Sequence, residues 1–230
     1  MESPLAAHVA FHLGPVPITT PVVTSWGIML VLAGGGWLLT RRLALRPGMA
    51  QAALELVVET LEQQIRDTMR TEPAAYLPLI GTLFLYIFVA NWSSLVPGIE
   101  PPTGAIETDA ALALIVFAAS IGFGVRVRGL GGYLRGFAHP SIIMVPLNLL
   151  ENVTRTFSLV VRLFGNVMSG IFVIGIVLSL VGLLVPVPLM ALELLTGAVQ
   201  AYIFTVLAMV FIGGGIEEEA PRGAQEEGKP

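Results

Sequence analysis

Apolar runs of the length a helix needs to cross a bilayer, about 20 residues, recur along the chain at 22–42, 74–97, 110–126, 141–184 and 186–215. Each predicts a membrane-spanning helix. Between the first two lies "MAQAALELVVETLEQQIRDTMR", in which Leu54, Val57, Val58, Leu61, Ile65 and Met69 recur at helical spacing against Glu55, Glu59, Glu62, Arg66 and Asp67. That pattern predicts an amphipathic helix over 49–70, resting on the membrane surface or on a partner rather than crossing. The segments 1–21, 98–109 and 216–230 complete the chain as an N-terminal segment, an acidic loop and an acidic tail.

The fourth run is too long for one perpendicular crossing. From Pro146 to Leu184 no proline or charged turn interrupts it. At 1.5 Å per residue that is about 57 Å of helix, against a hydrocarbon core about 30 Å thick, so the helix must tilt steeply or bend. Stepping 100° per residue, Asn148, Glu151, Asn152, Arg155, Ser158, Arg162, Asn166 and Ser169 fall on roughly a third of its circumference. On the last run Glu193, Thr196 and Gln200 form a shorter polar stripe. Lipid does not solvate such stripes, so they must face each other, a partner or water.

Arg162 is the sharpest of these residues, because an arginine at mid-membrane costs roughly 2.5–3.5 kcal/mol on insertion scales and intramembrane charges mark ion pathways. The alternative is a structural ion pair with Glu151 or Glu193, or packing between helices. Arg155 and Glu151 stand four apart, a spacing that suits a local salt bridge as well as a channel role. Asn166 can serve an ion path or hydrogen-bond to a neighbouring helix. Gly165 and Gly170 read as close-packing positions, and His8, His12 and His139 have no visible metal-site partners.

Composition narrows the class further. Of 230 residues, 55% are hydrophobic and 12% charged, and the mean hydropathy is +0.82, which makes the chain a single integral membrane domain. The formal charge of −4 owes much to the tail "GIEEEAPRGAQEEGKP" and argues against nucleic acid, which needs a basic face. The absence of cysteine removes disulfides, thiolate metal sites and a cysteine nucleophile. An intramembrane protease has no support: no histidine lies inside a predicted span, and the one lysine is Lys229. A stand-alone secondary transporter or channel would show paired broken helices around a midplane site, and no such repeat is visible. The N-terminus has an acidic residue and several prolines and does not resemble a cleavable signal.

At this point "FSLVVRLFGN" and "GAVQAYIFTVLAMVFIG" together resemble subunit a of the F-type ATP synthases, in wording closest to the bacterial and chloroplast branch. The resemblance extends over "LYIFVANWSSLVPG", "TDAALAL", "GLGGYLRGF", "PLNLLENVTRTFSL" and "LVPVPLMALELLTGAVQAYIF". It implies an all-α membrane protein of five transmembrane helices and one surface helix, the last two membrane helices forming a long, tilted hairpin beside a ring of c subunits. It implies a non-catalytic stator subunit without a cofactor, with b subunits of the peripheral stalk and the catalytic head as further partners. Protons or sodium ions would pass through two aqueous half-channels by way of a carboxylate on each ring subunit. Arg162 matches the essential arginine between the half-channels, Gln200 the glutamine near it, Asn166 the channel asparagine and Asn91 the asparagine of the outer half-channel. Glu193, Glu151, Asn148, Ser169 and Thr196 complete the expected ion-channel set. The sequence departs from the family where many members carry a glutamate nine residues after the arginine: here it has Ile171, and Glu193 stands on the last helix where many have histidine or glycine. One channel carboxylate is therefore expected on the facing helix.

Arg41 and Arg42 end the first span and Arg46, Arg66 and Arg70 come after it, while Arg126 ends the third and Arg128 and Arg135 come after that. By the positive-inside rule both stretches face the cytoplasm, which puts the N-terminus and the loop "PGIEPPTGAIETD" outside a bacterial inner membrane and the tail inside. A reporter fused after Gly104 should therefore read as external and one after Gly132 as cytoplasmic; the reverse pair of results would exclude this topology.

Overall fold

The computed structural model describes residues 9–13, 16–41, 48–96, 99–137, 144–181 and 186–216. Strands β1 (Val9–Leu13) and β2 (Val16–Thr19) are followed by helices α1 (Thr20–Thr40), α2 (Met49–Met69), α3 (Leu77–Trp92), α4 (Ile106–Phe137), α5 (Met144–Val181) and α6 (Pro186–Ile216). Short 3-10 turns occupy Pro73–Ala75, Ser93–Leu95 and Pro102–Gly104. The protein is an all-α membrane protein in its spanning part. Five helices are long and apolar enough to cross a membrane: Thr20–Thr40, Leu77–Leu95, Ile106–Gly132, Val145–Leu180 and Pro186–Ile216.

Local chemistry accounts for the ends. Pro21, Pro78 and Pro186 stand in first turns, where a missing N–H costs nothing. Helix α2 stops at Arg70, whose N–H makes the last bond, to the Arg66 carbonyl, and whose left-handed backbone (φ 51°) turns the chain out of the helix. Helix α4 turns at Gly129, where φ 72° and ψ 161° are open to glycine and strained for other residues.

Three expectations from the pattern change. The third apolar element was expected over 110–126, but α4 starts at Ile106, inside the stretch assigned to the acidic loop, and carries Arg126 and Arg128 onward to the Gly129 bend. Glu107 and Asp109 fit that first turn because carboxylates complement exposed N–H groups there. The second element was expected over 74–97, yet α3 is shorter, with 3-10 turns closing it at both ends. The N-terminal segment contains a small antiparallel hairpin, with Phe11 opposite Ile18 and His12 opposite Pro17. The tail beyond Ile216 lies outside the described residues.

Helix α6 is the axis of the bundle, and α2, α3, α4 and α5 all pack on it. Its buried face is Gly197, Gln200, Ala201, Phe204, Thr205, Ala208, Met209, Ile212 and Gly213. In lipid there is no hydrophobic drive between helices, so small residues matter because they let backbones approach and van der Waals contact accumulate. At Gly197 an added Cβ would lie 3.0 Å from Cβ of Asn91, and at Gly215 3.0 Å from the Ser120 carbonyl oxygen. Fully buried Phe204 belongs to one core cluster with Ile87 and Ala90 of α3, Val116 of α4 and Leu163 of α5.

Helix α2 buries the C-terminal half of its apolar stripe within this same chain, while Val58 stays exposed. Leu61, Ile65 and Met69 pack with Tyr76, Ile80, Met209 and Ile212, so the neighbour that amphipathicity demanded is the α3–α6 pair. Contacts then sort the bundle into two ends. Asn91 meets Gly197, Gly104 faces Val167 and Ile171, and Gly170 faces Glu193 at the end where α1, α4 and α6 begin. Ser120 meets Phe211, and Arg128 meets the Ile216 carbonyl, at the other.

Candidate functional site

Helix α5 presents two unlike faces. Leu159, Val160, Leu163 and Val167 are buried in the bundle, while Glu151, Arg155, Ser158, Arg162 and Ser169 are exposed and Asn148, Asn152 and Asn166 half-buried. The polar stripe is therefore left largely uncovered by the chain's own helices. Arg162 makes no ion pair among the described residues; the recorded pairs are Arg66 with Glu62 and Glu72, and Arg155 with Glu151. The structural-pair alternative for Arg162 thus finds Glu151 already engaged by Arg155.

A groove of ≈ 620 Å³ runs beside this stripe, lined by Leu147, Leu150, Glu151, Thr154, Arg155, Ser158, Leu159 and Arg162 of α5 and by Leu207 and Phe211 of α6. The Arg155 guanidinium lies 5.5 Å from the Phe211 ring centroid and bridges the two walls by a cation–π contact. Arg162 closes the groove toward the middle of α5. Charge thus concentrates on one wall, and apolar surface on the other.

The remaining polar residues gather toward the end where α6 begins. The Asn91 side-chain amide donates to the Gly197 carbonyl at 2.9 Å, and its oxygen accepts from the Thr103 hydroxyl at 2.8 Å. Trp92 donates its indole N–H to the Leu194 carbonyl at 3.3 Å. Gln200 is buried, and its side-chain nitrogen has no partner among the described residues. Glu193 is half-buried, and its carboxylate reaches across to α5: a Cβ added at Gly170 would lie 2.6 Å from its Oε1. Gly170 is therefore a notch for a carboxylate, whereas Gly165, also read as a packing position, faces open space. The hydroxyls of Thr196 and Ser169 bond back to the carbonyls of Glu193 and Asn166, at 3.0 and 2.9 Å.

The structure therefore divides the expected residues between two places. Arg162 and Glu151 share the groove; Asn91, Glu193, Thr196 and Gln200 lie at or toward the opposite end. Asn148, Asn166 and Ser169 belong to the α5 stripe but do not line the groove. Two residues escaped the sequence reading. Thr103 gave no signal, being one hydroxyl in a proline-rich loop, yet it is fully buried against Asn91. Asp109 read as part of a solvated acidic loop, but it stands three, four and seven residues before the buried Leu112, Ala113 and Val116, a helical period that signals an inward-facing carboxylate. Among the described residues no three metal-ligating side chains come together.

Comparison with known proteins spans the same elements. The family model described as ATP synthase A chain matches residues 22–213. The chain is 58% identical over 215 residues to ATP synthase subunit a 2 of Bradyrhizobium sp., covering 94% of this chain and 96% of that protein. It is 47% identical over 206 residues to ATP synthase subunit a 1 of Chlorobaculum parvum, covering 89% and 91%, and 44% identical over 211 residues to ATP synthase subunit a of Albidiferax ferrireducens, covering 91% of each. Similarity of this extent, running through the α5 stripe, the groove and the α6 axis alike, shows that the chain belongs to the family of F-type ATP synthase subunit a.

Proposed function

We propose that the chain is the ion-translocating stator subunit of a rotary F-type ATP synthase, non-catalytic in itself, and that Arg162 couples proton or sodium flow to rotation of a c-subunit ring. The observation that carries this reading is the exposed, unpaired Arg162 on a helix of bilayer character. A guanidinium there needs a counter-charge that the described residues of its own chain do not provide, and a carboxylate arriving on a ring subunit provides one. A fixed cation favours the ionised carboxylate as it passes and repels a cation leaking straight between two half-channels. Ion flow is then forced through ring rotation.

The groove with Glu151 and Arg155 suits the inner half-channel, and the polar group of Asn91, Gln200, Glu193 and Thr196 the outer one. The orientation comes from the arginine loops, which put the tail in the cytoplasm of a bacterium and the start of α6 outside. Helix α5, about 57 Å long at 1.5 Å per residue, meets a hydrocarbon core about 30 Å thick by lying strongly tilted along the ring. The peripheral-stalk b subunits and the catalytic head hold the chain against rotation. A stand-alone transporter fits less well, because its pathway would have to close within one chain, and the polar stripe here faces outward.

Removing one partner of a buried charge pair typically costs about 3–5 kcal/mol, or ~10²–10⁴-fold in rate. Arg162→Ala should therefore lower ion-coupled ATP synthesis by that order with the complex still assembled, and Arg162→Lys, lacking the planar fork, should also be strongly impaired. Normal coupling in Arg162→Ala would exclude the reading, and failure to assemble would favour a structural role.

The Gly170 notch generates a second expectation. A methyl here would meet the flexible end of Glu193 and push that side chain off α5, moving the carboxylate at little cost in stability. Gly170→Ala should slow ATP-driven pumping in vesicles, and shortening the carboxylate by Glu193→Asp in the same protein should recover part of the loss. Unchanged pumping in Gly170→Ala would show that the position of this carboxylate is immaterial.

A further inference from the structure

Asp109 is fully buried, and neither of its carboxylate oxygens has a hydrogen-bond partner among the described residues. It begins the core-facing row of α4 that continues through Leu112, Ala113 and Val116. Buried polar groups that serve structure are almost always hydrogen-bonded, and a carboxyl group in apolar surroundings is tolerated as the protonated acid or with a cation or water beside the carboxylate. A bare carboxylate in a core row therefore points to something that comes and goes.

Its neighbourhood is polar on one side. Asp109 lies within electrostatic reach of Tyr86 of α3, whose hydroxyl is 2.8 Å from that of Ser25 on α1. Tyr86 is the titratable group that faces it from the helices packed around it, among the described residues. Buried Ser25, Asn91, Thr103, Asp109 and Gln200 all stand between the middle of the bundle and the end where α4 begins. The remaining buried polar side chain, Thr205, is satisfied by the Ala201 carbonyl of its own helix. Asp109 and Gln200 both present unpartnered polar atoms in this half of the bundle.

We propose that Asp109 is a proton-exchanging carboxylate of the outer half-channel, reached by water that enters where α1, α3 and α4 meet. This rests on the stator reading and deepens it, naming a proton acceptor of the outer half-channel in addition to Glu193. A hydronium ion in the entering water gives its proton to a carboxylate oxygen, so that one O–H bond breaks as another forms. The carboxylic acid returns that proton to the next water on the way to Gln200 and the ring. Proton exchange suits the site better than sodium binding, because a sodium ion needs several oxygen ligands at once, and beside this carboxylate the Tyr86 hydroxyl is already engaged by Ser25.

The test uses the assembled complex in membrane vesicles. Asp109→Asn should slow ATP-driven proton pumping about tenfold or more, the scale of a lost acid–base group, with subunit composition unchanged. Because the chain contains no cysteine, Asp109→Cys gives this subunit one thiol, which should react with a membrane-impermeant methanethiosulfonate reagent from the outer side and much more slowly from the inner. Wild-type pumping by Asp109→Asn overturns the proposal, and so does an Asp109→Cys thiol that is unreactive from outside, whatever the pumping rate. If Asp109→Asn does not assemble, the thiol result decides alone. Arg162→Ala measured in parallel separates the two claims: if it uncouples while Asp109→Asn does not, this inference alone falls, and if it too pumps normally, the stator reading falls with it.

Discussion

The guanidinium of Arg162 stands uncovered on α5, and hydrocarbon at that depth would oppose it by roughly 2.5–3.5 kcal/mol. Its own chain makes no ion pair to offset this among the described residues. The groove beside it, with Glu151 paired to Arg155 and Arg155 over Phe211, reads as one half of an interface. Under the proposed stator reading, a second protein brings the missing carboxylate, and fold, groove and charge then fit together.

Holding such a charge in place requires a rigid support, and α6 provides it. Gly197 and Gly215 let α3 and α4 approach closely, while fully buried Phe204 clusters with residues of α3, α4 and α5. The same device serves chemistry at Gly170, where the missing side chain is the space into which Glu193 reaches. Glycine in this bundle therefore acts in two ways. It brings backbones together where the neighbour is packing, and admits a carboxylate where the neighbour is polar.

Much of this was legible in the chain itself. Length and apolarity give the five spanning helices, and the 100° step collects the α5 polar residues on one side, because both depend on local periodicity alone. The start of α4 was misjudged because Glu107 and Asp109 look like loop residues until the 3.6-residue row through Val116 is extended backwards. The surroundings of α2 were open because amphipathicity demands an apolar neighbour without naming it; the α3–α6 surface is a tertiary fact. The Asn91–Thr103–Gly197 network joins residues up to 106 positions apart, and no local pattern encodes that. The β1–β2 hairpin is short, and its alternation was hidden among prolines.

The central claim is that the exposed face of α5 around Arg162 is covered by the ring. Gly165 lies three residues further along, on an exposed position where an added Cβ meets no atom within 4 Å, so a side chain there can point outward freely. In a complex carrying Gly165→Cys and a cysteine beside the ion-binding carboxylate of the c subunit, mild oxidation should give a disulfide between this chain and the ring, and ATP-driven rotation should stop until the bond is reduced. Absence of that cross-link in an assembled, rotating complex, with the Gly165→Cys thiol pairing instead to a stalk subunit or remaining open to lipid-soluble reagents, would contradict it.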